Sequence, residues 1–136
     1  MNPIVKNILA VVVGIILGSV VNLGLIMIGS SVIPLSEGVN PMDPESLKAN
    51  IHLFEAKHFI FPFLAHALGT LAGAFIAAKL AANNAMKFAI GIAIYFLIGG
   101  IVNITMLPAP TWFIALDLVA AYLPMGWLAG KWAGKN

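Results

Sequence analysis

The sequence predicts an all-α fold: a four-helix transmembrane bundle, one integral membrane domain over 1–136, with both termini cytoplasmic. Three observations predict it. First, the 136 residues are 61% hydrophobic and 9% charged, with a mean hydropathy of +1.01. A soluble domain is about half apolar and about a quarter charged, and a soluble chain this short could not bury such a surplus inside itself. Second, four uncharged runs follow one another, each close to the ~20 residues needed to cross a hydrocarbon core about 30 Å thick. Third, lysines gather at alternate ends of those runs.

No charge stands between Asn7 and Ser36, and Pro34 sets a stop, giving a first span near 7–30. Its apolar run is too long for a signal peptide, and no A-x-A-like cleavage site follows. A loop over 31–58 comes next. Within it, D-P-E-S at 43–46 offers Asp43 as an N-cap, Pro44 at the first helical position and Glu45 in the first turn. Leu47, Ile51 and Phe54 then recur at helical spacing, a stripe suited to lying on the membrane surface as a short interfacial helix. The second span, 59–79, lies between Lys57 and Lys79 and is entered past a bend at Pro62. The third, 88–107, follows Lys87 and ends at L-P-A-P, where Pro108 and Pro110 stop the helix. The fourth runs over 112–131 and stops at Lys131.

Lys6, Lys79, Lys87, Lys131 and Lys135 share one side without a single acid, whereas Glu37, Asp43, Glu45 and Glu55 fall in the long loop. The positive-inside rule puts the lysine side in the cytoplasm and the loop outside. This layout fits a bacterial cytoplasmic (inner) membrane. Trp112 and Phe113 at the outer edge, with Trp127 and Trp132 at the inner edge, are the expected interfacial belt.

The chain also hints at an internal repeat. G-S-V-V-N-L at 18–23 and G-G-I-V-N-I at 99–104 are offset by 81 residues, and the same offset carries Lys6 onto Lys87. A true duplication would make two parallel helical hairpins related by a pseudo-two-fold along the membrane normal.

Each span carries one strongly polar side chain: Asn22, His66, Asn103 and Asp117. At 1.5 Å rise per residue, the asparagines stand about 24 Å, His66 about 20 Å and Asp117 about 21 Å from their nearest lysines. All four therefore share the outer third of the bilayer. An intramembrane Asp costs on the order of 2.5–3.5 kcal/mol at the centre and normally faces the bundle interior or a cavity, with a partner. The cheapest arrangement lets the four groups satisfy one another in an outward-facing cluster, with Thr70 one turn below His66. Such a cluster suits binding or passage of a small polar solute or ion, linked to a proton through Asp117 and His66. Against this, Asn, His and Asp also serve as interhelical glue.

Pro124 cannot donate to the carbonyl of Ala120, one turn beyond Asp117. Small residues at four-residue spacing, Ala10, Gly14 and Gly18, then Ala65, Gly69, Gly73 and Ala77, mark close-packing stripes.

Other chemistries find little support. Nucleic-acid binding wants a dense basic face, usually with arginine, and this chain has scattered lysines and no arginine. With no cysteine there is neither thiolate ligand nor thiol nucleophile. His52, Glu55 and His58 form H-x-x-E-x-x-H, a weak metal candidate, because the two histidines diverge on a helix. A bis-histidine haem lacks its second intramembrane histidine, and no dinucleotide fingerprint or nucleophile triad is present, so no cofactor and no enzyme activity are expected. Expected partners are the lipid bilayer, a small solute or ion, and either a second copy of the chain, through the glycine faces of the first two spans, or another membrane protein. An accessory or assembly subunit of a membrane complex is the main alternative. A lipid or hydrophobic small molecule held by Phe59, Phe61, Phe63 and Trp112 is another. In size and four-span layout the chain is similar to the small multidrug exporters and fluoride channels. That likeness is architectural: the exporters' membrane-embedded glutamate has no match in the first span.

Overall fold

A computed structural model describes residues 1–134; Lys135, assigned above to the lysine side, lies outside them. The described residues are helical without any strand. Stretches at Pro3–Val32, Ala56–Leu80, Ala85–Met106 and Thr111–Ala133 are long and apolar enough to cross a membrane, which makes this an integral membrane protein.

Helix α1 (Pro3–Val32) begins where the Asn2 side chain accepts the Ile4 N–H at 2.7 Å, with Pro3 at the first position. It ends ahead of Pro34, which disfavours helical geometry in the residue before it. In the loop, α2 (Pro44–Asn50) starts at the Asp43 cap, whose carboxylate accepts the Glu45 N–H at 3.1 Å. Two 3₁₀ turns, Ile51–Leu53 and Ala56–Phe59, lead into α3 (Ile60–Leu80). The bend therefore precedes Pro62, which sits in the first turn of α3, where its missing N–H costs nothing. Asn84, in the left-handed region at φ 51°, reverses the chain into α4 (Ala85–Met106).

The fourth span departs from the single helix expected over 112–131. It divides into α5 (Thr111–Ala120) and α6 (Leu123–Ala133), with the break at Ala121 and Tyr122. Pro124 is the physical reason: it withholds an N–H from the Ala120 carbonyl and its ring crowds that carbonyl. The helical ladder resumes when Gly126 donates to Tyr122 at 2.9 Å.

Glycine sets the packing of α1 on α3. A Cβ on Gly14 would stand 2.7 Å from the Gly73 carbonyl oxygen, and one on Gly18 would stand 2.7 Å from that of Gly69. Such backbone-to-backbone approach is how membrane helices associate without a hydrophobic driving force between them. The glycine faces expected to serve a second copy are thus consumed inside the protomer. At the same end, Ala74, Ala77, Ala78, Ala89, Ile92 and Ala129 make a tight core between α3, α4 and α6. Asn7 adds a polar tie, accepting from the Ala82 N–H at 2.7 Å.

Ile92 and Phe96 reach from α4 to α1, against Gly14 and Gly18 respectively. Beyond Phe96, towards the loop, α1 and α4 part. The two matched sequence segments consequently stand in unlike surroundings: Gly18 is buried against Gly69 and Phe96, while a Cβ on Gly99 would meet nothing within 4 Å. Trp112, Trp127 and Trp132 are 50%, 54% and 60% exposed, as a lipid-facing belt requires. Phe113 does not belong to that belt; it is buried and turned inward.

The packing predicts a sharp contrast between two glycines of α1. Gly14→Val should lower stability by about 1–3 kcal/mol through overpacking, because the facing atom is backbone. Gly24→Ala, with open space around the new methyl, should be neutral or slightly stabilising. Unfolding of the purified protein by dodecyl sulfate titration in mixed micelles reads both.

Candidate functional site

The centre of the site is a bond between α3 and α5. The His66 Nδ1–H donates to both carboxylate oxygens of Asp117, at 2.8 and 2.9 Å. With Nδ1 engaged by the carboxylate, Nε2 is the ring nitrogen left for another partner. Asp117 is 6% exposed. The Tyr122 hydroxyl, from the break between α5 and α6, donates to Asp117 Oδ2 at 3.3 Å, and its ring stacks near His66 at a centroid distance of 5.9 Å. Sequence reasoning missed Tyr122. It lies five residues past Asp117, well round an unbroken helix, and only the break that Pro124 causes brings the hydroxyl back to the carboxylate. Pro124 was the signal that could have found it.

Two adjoining cavities flank this pair. The larger, about 330 Å³, lies between α1, α3, α4 and α5 and includes Asn22, His66, Asn103 and Asp117 in its walls. Its roof is the loop, through Leu35, Met42, Leu47, Ile51 and Phe54. The apolar stripe of α2 and the following turn therefore faces this chamber and not the membrane surface, because the chamber offers it an apolar space to cover. The smaller cavity, about 260 Å³, is lined by Asn22, His66, Thr70, Asn103 and Tyr122, with Phe96 among its residues and glycines on three helices. His66, Asn22, Gly100 and Asn103 belong to both.

All four polar side chains line the larger cavity, yet they do not satisfy one another as expected. Only His66 and Asp117 are bonded. Asn22 Oδ1 and Thr70 Oγ1 are buried without a hydrogen-bond partner. Asn103 is exposed along its helix although it lines both cavities.

The H-x-x-E-x-x-H candidate is not assembled into a site. His58 is committed to the entrance of α3: its Nδ1 accepts the Glu55 N–H at 2.8 Å, and Nε2 then donates to the Pro34 carbonyl at 3.3 Å. Among the described residues no three His, Cys, Asp or Glu side chains are placed to hold a metal ion. Of the aromatic set expected around a hydrophobic ligand, Phe59 and Phe61 line the larger chamber, joined by Phe113. Trp112 packs edge-on against Phe59 at 5.7 Å, and Phe63 packs elsewhere, beside Ala67 and Tyr122.

No protein-family model, curated protein or solved structure matches this chain. The geometry is all that speaks for its chemistry.

Removing each partner of Asp117 should cost unequal amounts. His66→Ala strands a buried carboxylate and should destabilise by about 3–5 kcal/mol, whereas Tyr122→Phe removes one long neutral donor and should cost about 0.5–1.5 kcal/mol. In an Asp117→Asn background the His66→Ala cost should shrink markedly, since no charge is left to strand. The same denaturant titration, run as a double-mutant cycle, measures this.

Proposed function

We propose that this chain binds a small solute by its hydrogen-bonding groups at an outward-facing intramembrane site, and couples that binding to a proton held by His66 and Asp117. The observation that carries the reading is a His66–Asp117 bond beside two adjoining cavities that share His66 and Asn22: Asp117 lines the larger and Thr70 the smaller, and Asn22 Oδ1 and Thr70 Oγ1 have no hydrogen-bond partner. Interhelical glue would leave its groups satisfied, because an unmet buried polar atom costs about 1–3 kcal/mol. Unused groups facing a cavity are what a solute needs.

The pair supplies the proton chemistry. A solute proton taken by Nε2 makes the ring cationic, and the adjacent carboxylate stabilises that cation or takes the Nδ1 proton in turn. The two residues thus act as one exchanging unit. Asn22 and Asn103 orient the solute, and Thr70 meets it at the lower end.

The lysine pattern supports a topology with both termini in the cytoplasm, and the bacterial inner membrane is the setting in which we place it. In that topology the chamber opens on the outer side, and Ile92 and Phe96 close the inner half against α1. Passage inward would require those two side chains to leave Gly14 and Gly18. The matched G-x-x-V-N segments agree with descent from two similar hairpins, and we place the site in the cavities that their two asparagines line. We assign the chain no enzymatic activity.

Thermal unfolding in two-chain phospholipid nanodiscs, across pH and a panel of ions and small polar solutes, tests this. Wild type should show a solute- or pH-dependent stabilisation, about 2.7 kcal/mol at a hundredfold excess over Kd, and Asp117→Asn should lose it. Indifference of wild type to every condition, with Asp117→Asn behaving identically, would defeat the proposal.

A further inference from the structure

Resting on that reading, we infer that the solute is an uncharged, membrane-dissolved molecule, a hydrophobic alcohol or phenol, that reaches the site sideways from the bilayer through a seam between α1 and α4.

The seam is visible in residues that belong to the chamber and to the outer surface at once. Leu23 on α1 lines the larger cavity and is 49% exposed. Opposite it, Asn103 on α4 lines both cavities and is exposed, and a Cβ on Gly99 would meet no atom within 4 Å although Gly99 lines the smaller cavity. These three positions lie in the outer part of the spans, so the surface they reach is lipid and not water. Towards the lysine end the same two helices are closed by Phe96 and Ile92, so the seam is confined to the chamber's depth.

On the loop side, by contrast, the chamber is lined mostly by apolar side chains, Leu35, Met42, Leu47, Ile51 and Phe54, with Lys57 and His58 beside them. A water-borne polar solute would have to cross that greasy cover. A molecule already dissolved in the bilayer crosses only the seam.

The shape and chemistry of the chamber set the class. Its apolar upper part carries Phe59, Phe61 and Phe113, and at its lower end Asn22, His66 and Asn103 are shared with the smaller cavity, which adds Thr70. That fits a compact apolar body with one hydroxyl pointing down, towards Asn22 Oδ1, Thr70 Oγ1 or Nε2 of His66. The volume, about 330 Å³, is at the small end of the roughly 300–1,000 Å³ of small-molecule sites, too little for a two-chain lipid. An ion is disfavoured on both counts: entry from hydrocarbon is costly for a charge, and among the described residues the ionisable groups deep in the spans, His66 and Asp117, are already bonded to each other.

The test uses the full chain in two-chain phospholipid nanodiscs, which avoids detergent as a competing amphiphile. A diazirine-bearing alkylphenol is photolysed with the protein, and labelled peptides are mapped by mass spectrometry. The labelling should be saturable, should fall on the segments 22–30 and 100–107, and should be competed by unlabelled alkylphenol but not by glycerol or by an alkanoate anion. Gly99→Phe, which puts a ring into the seam where the structure leaves open space, should cut saturable labelling at least about tenfold, the equivalent of ~1.4 kcal/mol. Gly91→Phe, also on open surface but away from both cavities, should leave it intact and controls for folding. Labelling that is non-saturable, or equal in Gly99→Phe and wild type, overturns the inference. If polar solutes still stabilise wild type and not Asp117→Asn, the site itself stands and only its access route and ligand class fall. If neither solutes nor alkylphenol distinguish wild type from Asp117→Asn, the site reading falls as well.

Discussion

The close approach of α1 to α3 governs the rest of the molecule. Between membrane helices there is no hydrophobic gain to be had, so association depends on how near two backbones can come. Gly14 and Gly18 meet the carbonyls of Gly73 and Gly69, and near the loop Gly29 receives the ring of Phe61. With α1 fastened along α3 in this way, α4 cannot also lie along α1. It follows α3 and α6 through Ala89, Ala93, Gly126 and Gly130, and it meets α1 through Ile92 and Phe96. The gap that remains is the chamber.

A second constraint acts where the chamber needs its polar wall. In hydrocarbon every backbone group lacking a partner is costly, yet Pro124 breaks the ladder in mid-span. The break is bought back locally, since it frees Tyr122 to turn its hydroxyl onto Asp117 and lets α6 restart at Gly126. The carboxylate then meets donors from two elements, His66 on α3 and Tyr122 at the break. An interruption in the helix and a charge in the membrane, each unfavourable alone, are accommodated at one point.

Much of this could be read from the residues. Runs without charge located all four spans to within a few positions, because the bilayer fixes the length of what crosses it. Asp43, Pro44 and Glu45 announced α2, because N-cap chemistry is local. Depth was legible too, since rise per residue is constant, and it placed His66 level with Asp117 before any contact was known. Rotation was not legible. An apolar stripe at Leu47, Ile51 and Phe54 looks the same whether it faces lipid or covers a cavity, and a glycine stripe looks the same whether its partner is α3 or a second molecule. Both ambiguities concern what lies opposite, which sequence spacing does not encode. Asn22 and Asn103 do line the same cavities as His66, but whether they bond the pair depends on how the helices are turned and spaced, which residue spacing does not encode.

The spacing between helices gives the site its asymmetry. At the lysine end the helices touch through alanine and glycine and leave no room. At the loop end the residues facing inward are Leu23, Ile26, Ile104, Phe113 and the loop's own apolar side chains, which enclose space without filling it. His66 stands at the boundary between these regimes, in the wall of both cavities, with one nitrogen bound to Asp117 and the other free. If the histidine served only to hold α3 to α5, nothing would require Thr70 Oγ1 and Asn22 Oδ1, on residues that line a cavity beside it, to be left without a protein partner, at a cost that membrane proteins normally avoid. The arrangement makes physical sense once those groups are counted as belonging to something that comes and goes.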